Sequence, residues 1–493
     1  MNVLIKIWRK PEAKVFLLAV LAYSTLVIFA TGVNGGGDTF VHYQMSRYCW
    51  QHHHLLLNQW GKPVFTVLFS PIAQLGLQAV IWVNLSLIFF EAYLVFQIAK
   101  GLKMKRIWLA PFLFLTCPVV FDNAVSSLTE MICALFLILF IYWSIQKRFA
   151  IGSLIVSFMP FARSEGFVIL GVVFLFFCFT QRWKYTPLLL TGSLVLNLLG
   201  YLQTGKVFWI FDDNPYVNTA ITSYGSGNFF HFFIWALPVF GVGFLFVLYY
   251  SWKQLRKLWA PVTMDERGTP KKSYSYLLKE QIMFWLLLGS FWAYFMAHTM
   301  LWWLGMWASL GLTRVMFVVA APMVILALHE INKYLDSIGD ERKQRFTKGL
   351  IGICVFWALA TNTLLLTAMR VPDAFGVAGV GAEEKVFEEA CGWLNANGYS
   401  KKQTVYTGHI YVFVCLDIDP NDPKYYRSLK DYREAKAEDI IIWDGHYGPN
   451  EENTDLSKLE SDSSLEYLHE FRPKIAFKTL NDLPFFIKVF RKK

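Results

Sequence analysis

The chain has 493 residues, of which 55% are hydrophobic and only 17% charged, with a mean hydropathy of +0.38. A soluble chain of this length carries about a quarter charged residues, so the balance argues against a soluble domain and for a bilayer. The formal net charge of +10 would suit nucleic acid, but the basic residues fall in short runs between apolar segments. That is the pattern of membrane topology, so no nucleic-acid partner is expected.

Eleven apolar stretches suited to a hydrocarbon core ~30 Å thick follow one another. They run Val15–Val33, Gln78–Ala99, Ile107–Phe121, Thr129–Ile145, Ala150–Phe161, Gly166–Thr180, Thr186–Leu202, Phe229–Trp252, Gln281–Ala297, Val315–Leu328 and Gly349–Ala368. The third, fifth and tenth are short, which suits tilted or broken helices. The first follows MNVLIKIWRKPEAK and lacks an A-x-A site, so it is expected to stay as a span rather than leave as a signal peptide.

Basic residues then set the expected orientation. Lys6, Arg9, Lys10 and Lys14 precede the first stretch, and alternate loops carry Lys100 to Arg106, Lys147 and Arg148, Arg182 and Lys184, Lys253 to Lys279, and Lys333 to Lys348. The intervening loops hold only Arg47, Lys62, Arg163, Lys206 and Arg314. The asymmetry predicts a cytoplasmic N-terminus, an odd number of spans and an outer C-terminus.

From about Val371 charges become frequent and apolar runs shorten. The expected division is a transmembrane domain over 1–370 and a small extracytoplasmic α/β domain over 371–493. Within the tail the patterns predict helices at Glu384–Ala396 and Leu456–Phe471. Strands are predicted at Thr404–Tyr406, Tyr411–Leu416, Asp439–Trp443, Lys474–Phe477 and Phe485–Phe490. Seven cysteines are scattered without a CxxC pair, most of them in apolar runs where a thiol behaves as a small hydrophobe. The sequence leaves open whether Cys391 and Cys415 pair.

The polar residues suited to chemistry lie on the outer side. After the first stretch, GVNGGGDTFVHYQMSRY places Asp38 at the membrane mouth, where a carboxylate must be solvated or used. Asp38 also suits an N-cap for the helix TFVHYQMSRY, and the two roles are compatible. His42, Tyr43 and Arg47 lie within helical reach of it. Three consecutive histidines, His52 to His54, point about 100° apart on a helix and do not face one metal. Glu130 suits a helix start, and Arg163 and Glu165 lie in a short link where they can pair with each other. Arg314 opens an outer helix end, where a cation opposes the macrodipole unless an anion is near.

In order and spacing these features resemble the GT-C superfamily of multi-spanning glycosyltransferases. The similarity rests on the acid of GGGDTF, the following RYCWQ and QWGKPVFTVLFSP, the R-x-E-G of ARSEGFVIL, and the Arg–Pro run GLTRVMFVVAAPMVILAL. The resemblance implies a sugar transferred from a polyprenyl-phosphate donor, with inversion, to a hydroxyl of a lipid, glycan or protein acceptor. Asp38 would be the general base, Arg314 and Arg163 would hold the donor phosphate, and Glu130, Glu165 and His42 would contact or orient substrate. Mannose is the expected sugar from family frequency. Many members carry a second acid beside the first; here Thr39 stands there, so chemistry without cofactor or metal is expected, a divalent metal being the alternative.

Two other classes compete. A transporter or flippase of lipid-linked sugars would place ionisable groups near the midplane and show paired repeats; neither is evident. An assembly subunit would use the outer tail to bind a partner.

Overall fold

The computed structural model describes residues 10–30, 32–215, 225–258, 278–307, 309–368, 381–399, 403–479 and 482–493. The expected domain boundary at 370/371 lies outside the described residues, as do Lys6 and Arg9 and part of the loop between Lys253 and Lys279.

Helical segments overlap every apolar stretch read from the sequence. Only five helical runs among the described residues, however, have the length and apolarity to cross a membrane: Pro11–Phe29, Leu77–Gly101, Trp183–Thr204, Leu278–Trp303 and Thr313–Ser337. The rest are short or interrupted. Leu109–Leu115 and Pro118–Asp122 part before Pro118, whose ring supplies no N–H donor. His231–Phe240 and Gly243–Leu258 part at Gly241, which has φ +62°. Pro63–Ala73 is a further short apolar helix that the sequence reading left within a loop.

Packing explains why the protein needs a bilayer. Thr313–Ser337 is the central element, with 94% of its most apolar stretch buried by protein. Pro11–Phe29 lies at the periphery and buries only Tyr23 and Val27, with the Tyr23 hydroxyl donating to the Leu115 carbonyl at 2.5 Å. Around the bundle Leu18, Phe29, Phe179, Leu194, Leu202 and Ile234 are all exposed. Apolar surface on that scale is too large for water and matches lipid. The chain is an integral membrane protein. Away from the site, Lys105 and Arg106 reach Asp336 at 2.9 and 3.1 Å, and Lys253 reaches Glu330 at 2.8 Å.

The tail carries a five-stranded sheet in the order β2-β1-β3-β5-β4. The strands are β1 Val405–Tyr406, β2 Tyr426–Arg427, β3 Ile440–Asp444, β4 Leu465–Phe471 and β5 Ile487–Lys492. β1 runs parallel to β2 and β3, while β5 runs antiparallel to β3 and β4. Strand alternation separates two apolar layers. Ile440 and Ile442 pack with Phe387 and Leu394 of helix Ala382–Ala396, whereas Ile441 and Trp443 pack with Tyr406, Leu459 and Phe490.

Three sequence expectations in the tail are corrected. Tyr411–Leu416 has strand propensity, yet Tyr411–Cys415 is one helical turn that buries Val412 and Phe413 against helix Ala382–Ala396. Leu456–Phe471 is not one helix: it stops at Glu460, and Leu465–Phe471 becomes an edge strand beside β5. Lys474–Phe477 forms no strand, and only an isolated bridge joins Lys478 to Pro484. A disulfide joins Cys391 to Cys415, closing the question that the sequence left open, with Cα atoms 6.1 Å apart.

Candidate active site

The chain that precedes Asp38 turns sharply. Gly35 has φ +89°, and a Cβ there would meet Leu128 at 2.8 Å, so glycine is required. Helix Gly36–Tyr48 then starts with Gly35 as its cap residue, which puts Asp38 in the first turn rather than at the cap. The capping role suggested by sequence is therefore absent. Instead, the Asp38 carboxylate accepts a hydrogen bond from Arg314 Nη2, while Arg314 Nη1 donates to the Gly35 carbonyl at 3.0 Å. This supplies the anion that an outer arginine at the start of Thr313–Val319 called for.

Arg163 and Arg314 flank a common carboxylate. Glu130 is fully buried, with Arg163 Nη1 2.9 Å and Arg314 Nε 3.5 Å from its Oε1. Neither contact has hydrogen-bond geometry, since the Glu130 oxygens accept none; we treat both as charge contacts. Arg163 also donates to Thr129 Oγ1 at 3.2 Å and to Glu165 Oε1 at 3.0 Å. Burial alone would raise the Glu165 carboxyl, but Arg163, His298 and Lys62 bring it down to about 2.

These side chains border a cavity of about 370 Å³, within the range of small-ligand sites. Asp38, His42, Arg163, Glu165 and Arg314 all line it. Glu130 does not; it sits behind the two arginines, where it can orient the site. His42 is buried, stacked on Trp60 at 5.1 Å between centroids, and desolvation lowers it to about 3. An imidazole so placed is neutral at pH 7. The histidine run takes no part: His52 lies 2.8 Å from Asp419 of the tail. Thr39, where a second acid was sought, is fully buried and its hydroxyl donates to the Asn34 carbonyl at 2.6 Å. Among the described residues no three His, Cys, Asp or Glu side chains form a metal-ligand group.

Sequence reasoning missed Lys62, His298, Trp60, Trp307, Tyr447 and Glu451, all of which line the cavity. Lys62 is buried with φ +62°, and its Nζ donates to Ser164 Oγ at 3.2 Å. Desolvation lowers its ammonium to about 8, which leaves it mostly charged at neutral pH. A cation in WGKPVF, on a side otherwise poor in lysine, was the available signal. His298 lies 3.6 Å from Glu165, one residue past the predicted end of its span.

The sequence matches no protein-family model and no curated protein. The fold is similar to that of ArnT from Cupriavidus metallidurans, in a crystal structure of that protein bound to undecaprenyl phosphate. The TM-score is 0.55 at 12% identity, over 96% of this chain and 97% of that one. A likeness along nearly the whole of both chains defines the class: a polytopic helical membrane protein of ArnT-like fold with a small C-terminal sheet.

Proposed function

We propose that the protein is a glycosyltransferase that moves a sugar from a polyprenyl-phosphate donor to an acceptor hydroxyl on the outer side of the cell membrane. The observation that carries this is the Asp38–Arg314 pair on a cavity that also presents Arg163 and Lys62. One carboxylate and several cations at one opening meet the needs of displacing a sugar from a lipid phosphate. The ArnT structure, holding undecaprenyl phosphate, supports the donor class, and the GT-C resemblance supports the reaction.

In this mechanism the acceptor oxygen attacks the anomeric carbon with inversion. The bond from that carbon to the phosphate oxygen breaks, and its electron pair leaves with the polyprenyl phosphate. Asp38 takes the hydroxyl proton, and Arg314, Arg163 and Lys62 stabilise the charge gathering on the phosphate. Glu165 and His42 orient the sugar or the acceptor, and Glu130 holds the two arginines apart and in place. With three cations against the leaving group and Thr39 committed to the backbone, we assign no metal to the reaction.

The proposal includes eleven spans, a catalytic membrane domain over 1–370, and a tail over 371–493 outside a cytoplasmic N-terminus. The disulfide supports the outer tail, because such bonds persist in oxidising compartments. Mannose is the proposed sugar. The test supplies purified protein with labelled polyprenyl-phosphate mannose and other hexoses, and compares wild type with Asp38→Asn. Equal turnover by both proteins removes Asp38 as base, and no turnover with any such donor removes the function.

A further inference from the structure

The cavity has two unlike walls. Its three cations, Lys62, Arg163 and Arg314, belong to the helical part of the chain. The tail contributes Ile410, Tyr447 and Glu451, an apolar group, a phenol and a carboxylate. Among the described lining residues the tail thus adds negative charge and no cation. We infer that the tail wall binds the acceptor, and that the acceptor is a hydroxyl-bearing glycan carrying no phosphate or carboxylate near its reacting hydroxyl. The inference rests on the transferase proposal for the donor side and adds the class of the second substrate.

Tyr447 is held where such a substrate must pass. A Cβ on Gly37, the residue before Asp38, would lie 3.0 Å from the Tyr447 hydroxyl and 3.4 Å from Ile410. The phenol therefore stands one residue from the proposed base. Its backbone is tied in turn: Asp444 Oδ1 accepts from the His446 and Tyr447 amides at 2.9 and 2.8 Å. Glu383 Oε2 lies 2.8 Å from His446 Nδ1 and 3.2 Å from His409 Nε2. The His409 ring packs edge-on to Tyr447 at 4.9 Å. Glu451 follows in the same tied segment, its amide donating to the Tyr447 carbonyl at 2.9 Å. The phenol can donate to or accept from a sugar hydroxyl and the carboxylate accepts from one, and the two tryptophans at this cavity supply apolar faces for a pyranose ring. An anionic headgroup would meet Glu451 with like charge, which costs affinity rather than adding it.

The experiment uses the full-length protein in nanodiscs saturated with undecaprenyl phosphate, so that Lys62, Arg163 and Arg314 are engaged, with mannotriose and mannotriose 6-phosphate as probes. Binding is followed by intrinsic fluorescence, since Trp60 and Trp307 line the cavity. Mannotriose is expected to bind about tenfold more tightly than its phosphate, because like-charge repulsion of that order amounts to a decade in Kd. Glu451→Lys should bring the two to within about twofold, and Tyr447→Phe should weaken mannotriose several-fold. Glu451 is exposed, so its variants are expected to fold. Equal binding of the two probes, binding of neither, or a preference unchanged in Glu451→Lys overturns the inference. Undecaprenyl phosphate binding, and its loss in Arg314→Gln, is measured on the same samples before saturation. That arm reports on the donor side alone, so either proposal can fail while the other stands.

Discussion

Asp38 and Arg314 lie 276 residues apart and are joined by a charge-assisted hydrogen bond at the cavity. The pair ties helix Gly36–Tyr48 to the start of the central element Thr313–Ser337. It also means that, without substrate, the proposed base and a proposed phosphate ligand neutralise each other. In the proposed mechanism, a donor phosphate reaching Arg314 would compete with Asp38 for the guanidinium, and in winning would release the carboxylate to accept a proton.

That competition gives opposite signs for binding and turnover. Asp38→Asn removes the proposed base, and loss of a general base lowers the rate by roughly 10²–10⁴-fold. The same change frees Arg314 from its carboxylate, so undecaprenyl phosphate is expected to bind as tightly as in wild type or more tightly. Arg314→Gln should weaken both donor binding and turnover. Titration of undecaprenyl phosphate beside initial rates checks this, and weaker binding in Asp38→Asn would contradict the competition.

Glu130 makes a different prediction, on stability. It is fully buried with Arg163 and Arg314 both against Oε1, so neutralising it leaves two partly buried cations with one carboxylate each, Glu165 and Asp38. Glu130→Gln should destabilise the protein by about 1–3 kcal/mol, the range for leaving buried polar partners short of a contact. Neutralising Glu434, whose pair with Arg427 is exposed at 3.0 Å, should cost about 0–1 kcal/mol. Thermal melts of both variants in nanodiscs make the comparison. Equal melting temperatures would show that Glu130 holds nothing in place.

The sequence singles out Asp38, Arg163, Glu165 and Arg314 through the alternation of its basic loops, and the structure gathers all four at one cavity. Their convergence follows from packing, which periodicity does not encode. Glu130 reads in the sequence as a helix-start acid that orients the site or contacts the sugar, and only packing shows two arginines against it. Lys62 counts in the sequence only toward topology, and His298 stands just past the end of a predicted span, where no pattern marks it. In the tail, Tyr411–Cys415 and Leu465–Phe471 went wrong where burial and sheet pairing overrode local propensity. Tyr447 and Glu451 reach the cavity only through the docking of the tail. That contact involves Arg47 with Asp417 at 2.9 Å and His52 with Asp419 at 2.8 Å, and has no local sequence signature.

The disulfide predicts a redox-dependent tail. Cys391 and Cys415, 24 residues apart, clip helix Ala382–Ala396 to the turn Tyr411–Cys415. A loop of that size is worth about 3 kcal/mol. Cys391→Ser, or reduction of wild type, should therefore lower the melting transition of the tail, with reduction having no further effect on the variant. Melts with and without dithiothreitol test this. A wild-type transition unmoved by reduction would leave the bond without a stabilising role.

The Glu383–His446 contact predicts how stability varies with pH. Burial disfavours charge on both groups, but hydrogen bonding outweighs it: the bond to Glu383 raises His446 above 6.5, and bonds to His409 and then His446 bring Glu383 down to about 2. A raised histidine contributes stability that is complete below its unfolded value and is lost as pH climbs through its folded one. A depressed carboxyl contributes stability that is complete above about 4.5 and is lost as pH falls toward 2. The two windows overlap between about pH 4.5 and 6.5. There the pair should add about 1.5–3 kcal/mol, the worth of a hydrogen bond between charged groups. Glu383→Gln should thus cost most near pH 5.5, and the gap from wild type should narrow on the alkaline side as His446 deprotonates. Melting temperatures of the two proteins from pH 4 to pH 9 trace that difference. Parallel curves would mean that the contact is made without a charged histidine.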